Sequence, residues 1–212
     1  MTDTEHLIAA LASSPERPQP VAAIFTRRLA AGVLAAILLT FLVLGFRPDA
    51  FTAAGMAVCW PKLIYTLVLA VTGFVVLERL GRPGTVVGKR ALLIAVPLVV
   101  MGLGALLQWQ SADASLRPLL LWGRSWLVCP YLIVFISAPV FAATILAMRR
   151  LAPTNPVAAG AAAGFFAGAA GATVYGFHCG ETAMVFVSIW YSLGIAAMTL
   201  IGAATGRWLL RW

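Results

Sequence analysis

The chain has 212 residues, 62% of them hydrophobic and 10% charged, with a mean hydropathy of +0.96. Soluble domains are roughly 45–50% apolar and about 25% charged, so the composition excludes a soluble enzyme, a disordered tail and a small disulfide scaffold. The net charge of +8 does not point to nucleic acid, because the basic residues lie between apolar runs, where topology-setting charges belong.

Met1–Glu16 has no basic segment followed by an apolar run, so no cleavable signal peptide is expected. Asp3 or Thr4 can cap a short helix reaching Ala12, on which Leu7, Ile8 and Leu11 share an apolar stripe. A helix of about ten residues is marginal in water, so the stripe wants a partner. Asp3 and Glu5 oppose an anionic membrane surface, which leaves a protein partner, docking on the same chain, or disorder. Pro15, Pro18 and Pro20 predict an extended linker, and residues 1–26 are taken as a cytoplasmic segment ahead of a membrane domain, 27–212.

Six apolar runs are long enough to cross a bilayer as helices: Leu29 to Phe46, Trp60 to Leu77, Ala91 to Leu107, Pro130 to Met148, Val157 to Phe177 and Ala183 to Thr205. The predicted fold is all-α and polytopic. With the N-terminus inside, Arg17, Arg27, Arg28, Arg79, Arg82, Lys89, Arg90, Arg149, Arg150, Arg207 and Arg211 face the cytoplasm, and Arg47, Lys62, Arg117 and Arg124 face outward. Eleven against four is a strong positive-inside bias and places both termini in the cytoplasm. Gly160, Gly164 and Gly168, and Gly202 and Gly206, recur every four residues and predict close helix packing within the chain. Trp60, Trp109, Trp122 and Trp126 fall at the outer boundary and Trp208 and Trp212 at the inner one, as interfacial anchors.

No ionisable residue lies near the centre of any predicted span, and there is no HExxH or phosphate-cradling glycine loop. Ion-coupled transport and membrane-embedded catalysis are thereby disfavoured. Three cysteines remain, without a CxxC motif. Each is expected just ahead of a helix starting at the outer face: Cys59 before Trp60-Pro61, Cys129 before Pro130, and Cys179 before Gly180-Glu181-Thr182. A helix N-terminus favours thiolate, and Arg124, Lys62 and His178 add positive charge nearby in sequence. Cys129 and Cys179 are the candidates for a redox-active pair, or for a thiol-plus-imidazole metal set with His178. Glu181 and Cys59 are auxiliary.

Several stretches resemble the NrsF family of six-span bacterial anti-sigma factors for extracytoplasmic-function sigma factors. They are Leu7 to Ala12, Gly45 to Asp49, Trp60 to Leu63, Arg79 to Gly84, Trp126-Leu127-Val128-Cys129-Pro130, Arg149 to Thr154, Tyr175 to Glu181 and Trp190 to Gly194. The resemblance implies an inner-membrane, non-enzymatic regulator of transcription that holds a sigma factor and releases it in a stress response. It also implies that Cys129 and Cys179, facing the periplasm, are needed for release under heavy-metal stress. Gly180 departs from the His-Cys-Pro-Glu form common in the family. The resulting expectation is a cysteine sensor of a thiophilic metal or oxidant, with Leu7, Ile8 and Leu11 contacting the sigma factor, lipid around the helices, no direct nucleic-acid contact and no cofactor beyond a transient metal ion. The competing readings are a membrane thiol oxidoreductase and a small transporter of an apolar substrate.

Overall fold

The computed structural model describes residues 3–12, 21–45, 52–82, 88–151 and 153–211. The linker expected around Pro15, Pro18 and Pro20 lies outside them, as do Arg47 and Asp49. Among the described residues there are helices and no strands. The helices are α1 (Asp3–Ala12), α2 (Val21–Val43), α3 (Ala53–Leu80), α4 (Ala95–Ser111, entered through a 3-10 stretch Gly88–Ile94), α5 (Arg117–Trp122), α6 (Cys129–Met148) and α7 (Pro156–Tyr175). The last, α8, runs through Met184–Leu209 and contains one π-helical turn, Val187–Tyr191. Six helices are long and apolar enough to cross a membrane: α2, α3, α4 with its lead-in, α6, α7 and α8.

The predicted spans match these six within several residues, and the differences have local causes. The first span begins at Val21, ahead of Leu29, because Val21-Ala22-Ala23-Ile24-Phe25 carries the helix through Arg27 and Arg28. Long arginine stems tolerate this by reaching toward polar groups, and Arg28 donates to the carbonyl of Leu146 at 2.5 Å. The second begins at Ala53, so Pro61 lies inside α3 rather than at its start. Pro139 likewise lies within a continuous α6.

The spans alternate, which gathers their ends into two groups. Gly45, Lys62, Gln108, Arg124, Cys129 and Cys179 are linked by hydrogen bonds at one end, here called the cysteine end. At the opposite, arginine end, Arg28 reaches Leu146, Arg149 donates to the carbonyl of Leu209 at 2.7 Å, and Arg82 pairs with Glu78. Helix α7 is the most buried span and packs chiefly on α8 and α3. Glycine makes this possible. A Cβ on Gly160 would strike the backbone of Gly202 and Gly206, and one on Gly164 the backbone of Met198, so the expected glycine stripes do pack two helices of this chain together. By contrast α4 and its lead-in present Leu92, Val96, Val99, Val100, Leu103 and Leu107 outward.

Candidate functional site

The site is built where α6 starts, α7 stops and α8 begins. Cys129 is the first residue of α6, with Pro130 behind it, and its N–H bonds the carbonyl of Ser125 at 2.8 Å. Cys179 follows α7, and its N–H closes the last turn onto the carbonyl of Tyr175 at 3.0 Å. The expectation that Cys179 fronts a helix N-terminus is therefore corrected: it finishes α7, and α8 begins only at Met184. The same correction applies to Cys59, which lies within α3 because that helix starts at Ala53. Cys59 is buried one turn before Lys62.

Cys129 and Cys179 come together. Both are buried, both are free thiols, and their sulfurs are hydrogen-bonded to one another. The hydroxyl of Tyr175 lies within reach of both sulfurs, and the fully buried Tyr191, last residue of the π turn, faces Cys179. π-Helical turns inside α-helices are frequent at functional sites, because the extra residue re-aims one side chain.

Cys179, which lies between spans, is brought down from the ordinary thiol value to about 5. The largest cause is the hydrogen bond from the Cys129 thiol; burial pulls the other way. The Tyr191 hydroxyl dipole, the backbone N–H of Glu181 and the positive charge of Lys62 add to the lowering. The expected helix-dipole cause is thus replaced by a set of specific neighbours. A thiolate so stabilised is a better nucleophile and soft-metal ligand at neutral pH than a free thiol.

Two side chains fix the loop that carries Cys179. The ammonium of Lys62, itself buried, donates to the carbonyl of Cys179 at 2.5 Å and to that of Glu181 at 3.0 Å. The carboxylate of Glu181 in turn accepts from the backbone N–H of Arg124 at 2.7 Å and lies 3.4 Å from the Ser125 hydroxyl, in the turn leading to Cys129. Gly123 lets the carboxylate in. Its φ of +52° suits only glycine, and a Cβ there would meet Glu181 and Phe186 at 2.8 Å. Glu181 was expected as an auxiliary residue and acts as a brace between the two cysteine-bearing segments. Beside it a cavity of about 540 Å³ is walled by Arg124, Ser125, Glu181 and Thr182 on its polar side and by Leu119, Leu120 and Ala183 on its apolar side, with Gly180 between.

His178 goes elsewhere. Its Nδ1–H donates to the carbonyl of Gly45 at 2.9 Å, and its ring packs on Tyr175 with centroids 5.8 Å apart. Among the described residues no group of three or more His, Cys, Asp or Glu is placed to hold a metal ion, so the set of Cys129, Cys179 and His178 is not assembled. The two sulfurs alone fit a soft ion of low coordination number.

Trp122 and Trp126, expected as boundary anchors, also stack with Trp190 at 5.8 and 5.3 Å, and the indole N–H of Trp190 donates to the carbonyl of Leu121 at 2.8 Å. Near the N-terminus, α1 exposes Leu7 and Ile8 at 62% and 60%, so these two carry no packing of their own; the side chain of Leu11 lies outside the description.

Tyr175 and Tyr191 were not singled out from the sequence as site residues, and Lys62 was read only as positive charge near Cys59, not as the residue that holds the Cys179 loop. For Lys62 a signal existed: a lysine just inside an apolar span is expensive unless a partner waits for it.

Residues 10–212 match the family described as negative regulator of sigma F, NrsF. The chain is 40% identical to the anti-sigma-F factor NrsF of Caulobacter vibrioides over 220 residues, covering 99% of each chain. It is 35% identical to the probable anti-sigma-F factor NrsF of Azospira oryzae over 211 residues, again covering 99% of each. No solved structure matches. A match over nearly the whole length, together with these two relatives, makes this chain a member of the NrsF family.

Proposed function

We propose that this protein is a multi-pass anti-sigma factor of the bacterial inner membrane, which holds an extracytoplasmic-function sigma factor and releases it when Cys129 and Cys179 bind a thiophilic metal or are oxidised. Membership of the NrsF family supports the anti-sigma role and a sigma-factor partner. The observation that carries the sensing role is the buried, mutually hydrogen-bonded pair of free thiols at the cysteine end. The eleven-to-four basic asymmetry supports an orientation with both termini and the arginine end in the cytoplasm and the thiols toward the periplasm.

In this mechanism modification of the pair breaks the S–H···S contact and displaces the starts of α6 and α8 and the end of α7. Helices α7 and α8, locked through glycine backbones, move as one body and carry the change to the bond between Arg149 and Leu209 at the far end. The exposed stripe of α1, with Leu7, Ile8 and Leu11, and the basic loops of the arginine end form the capture surface. To switch such a two-state body almost completely, the modification must favour the released state by about 5.5 kcal/mol.

The test is co-purification. The tagged protein, extracted in detergent from untreated cells, should bring down a sigma factor, and membranes treated with cadmium or diamide should not. A preparation that carries no sigma factor under either condition contradicts the reading.

A further inference from the structure

The thiol pair has an oxygen neighbour that its own chemistry does not use. Tyr191 is fully buried and faces Cys179, yet its hydroxyl makes no hydrogen bond of ordinary geometry among the described residues. A buried hydroxyl in that condition is costly unless something at the site pairs with it. A ligand that pairs with it must lie against both the sulfurs and the phenol, and must bring an oxygen or a lone pair with it.

A bare divalent cation meets these demands poorly. It would find two thiolates and no third His, Cys, Asp or Glu among the described residues, and it would bring no oxygen of its own to Tyr191. A neutral trivalent oxyacid brings its own third ligand. We propose that Cys129, Cys179 and Tyr191 form a binding site for a trivalent thiophilic oxyacid, arsenous acid or its antimony counterpart, held as a pyramidal bis-thiolate whose remaining hydroxyl pairs with Tyr191. This deepens the sensing reading of the same two thiols and rests on it.

The chemistry balances without an oxidant. As(OH)3 loses two hydroxyls, which leave as two waters with the Cys129 thiol proton and one proton from solvent, Cys179 being a thiolate at neutral pH; two As–S bonds form and two As–O bonds break. Arsenic stays trivalent, the site passes from one negative charge to none, and one As–OH remains. The cavity walled by Ser125, Gly180 and Glu181 provides room beside Cys179 for such a small uncharged solute.

Methylarsonous acid, CH3As(OH)2, is the discriminating probe. It spends both hydroxyls on the two thiols and keeps none for Tyr191. Full-length protein in detergent is titrated with sodium arsenite and with methylarsonous acid, following the fluorescence of the Trp122, Trp126 and Trp190 cluster and the adduct mass. Both reagents should bind once per chain, and Cys129→Ser should abolish both adducts. Tyr191→Phe should weaken arsenite by about fivefold, the worth of one net hydrogen bond, and leave methylarsonous acid unchanged.

Absence of an arsenite adduct on the wild-type chain, or an equal effect of Tyr191→Phe on both reagents, overturns the proposal. If Tyr191→Phe does not fold, the wild-type chain decides: its preference for arsenite over methylarsonous acid must exceed that of dithiothreitol, and a preference at or below that of dithiothreitol overturns the site. Release of the sigma factor by cadmium from a chain that binds no arsenite removes this proposal and keeps the sensing reading. A response that survives loss of both cysteines removes both.

Discussion

The ammonium of Lys62 donates to the carbonyl of Cys179 at 2.5 Å across 117 residues of sequence, and the carbonyl of Glu181 accepts from the same ammonium at 3.0 Å. One side chain of α3 thus holds the segment on which Cys179 sits. Lys62→Met should leave two carbonyls without their charged donor, at a cost of roughly 1.5–3 kcal/mol per bond lost. Thermal unfolding in detergent should show a lower transition. Labelling of Cys179 at pH 6 should slow as well, because the nearby positive charge that favours its thiolate is gone.

Reactivity at Cys179 should follow pH through its lowered value. A thiol held at about 5 is mostly thiolate above that pH, so alkylation by a small reagent should rise from pH 4 to 6 and be flat by pH 7. Removing the Cys129 thiol deletes the largest cause, so in Cys129→Ala the rise should move up toward the free-cysteine value of about 8.5. Mass spectrometry of iodoacetamide-labelled protein across the pH range reads both curves, and coincident curves would show that Cys129 does not set the state of Cys179.

The seam between α7 and α8 should tolerate no added atom. Gly202→Ala places a Cβ against the carbonyl of Gly160 and the backbone of Gly164, so a loss of about 1–3 kcal/mol is expected. Gly102→Ala in the outward-facing α4 meets nothing within 4 Å and should be neutral or slightly stabilising, since alanine favours helix. Thermal stability of the two variants, measured side by side, separates a packed glycine from an idle one.

The six spans were legible in the sequence because a long apolar run is among the strongest signals a chain can carry, and the glycine stripes of α7 and α8 announced their packing. Cys129, Cys179 and Glu181 were also legible as neighbours of one site. Helix ends were less so: apolar residues ahead of Pro61 and of Arg27 extend α3 and α2 beyond the runs that define the spans, which moved Cys59 into a helix. The environment of Cys179 was not legible. It depends on a lysine from α3, a tyrosine re-aimed by a π turn, and a loop closed onto Tyr175, and no local pattern encodes contacts made across so many residues.

Leu7 and Ile8 stand exposed on α1, the stripe proposed above as part of the capture surface. Buried side chains of this size are worth about 1.5–3 kcal/mol each, enough to supply much of a micromolar interface before ordering costs. Leu7→Asp with Leu11→Asp should free the sigma factor while leaving membrane insertion intact, giving constitutive expression of its target genes. Retention of the sigma factor at the membrane by that variant would place capture on the loops of the arginine end.

The most direct measurement is the amount of sigma factor that co-purifies with the tagged protein before and after cadmium or diamide, for the wild-type chain and for Cys129→Ser with Cys179→Ser. The wild-type chain should lose its partner on treatment, and the double variant, keeping size but not the soft sulfurs, should hold it at the same dose. Release from the double variant at the wild-type dose would contradict control of the partner by the two thiols.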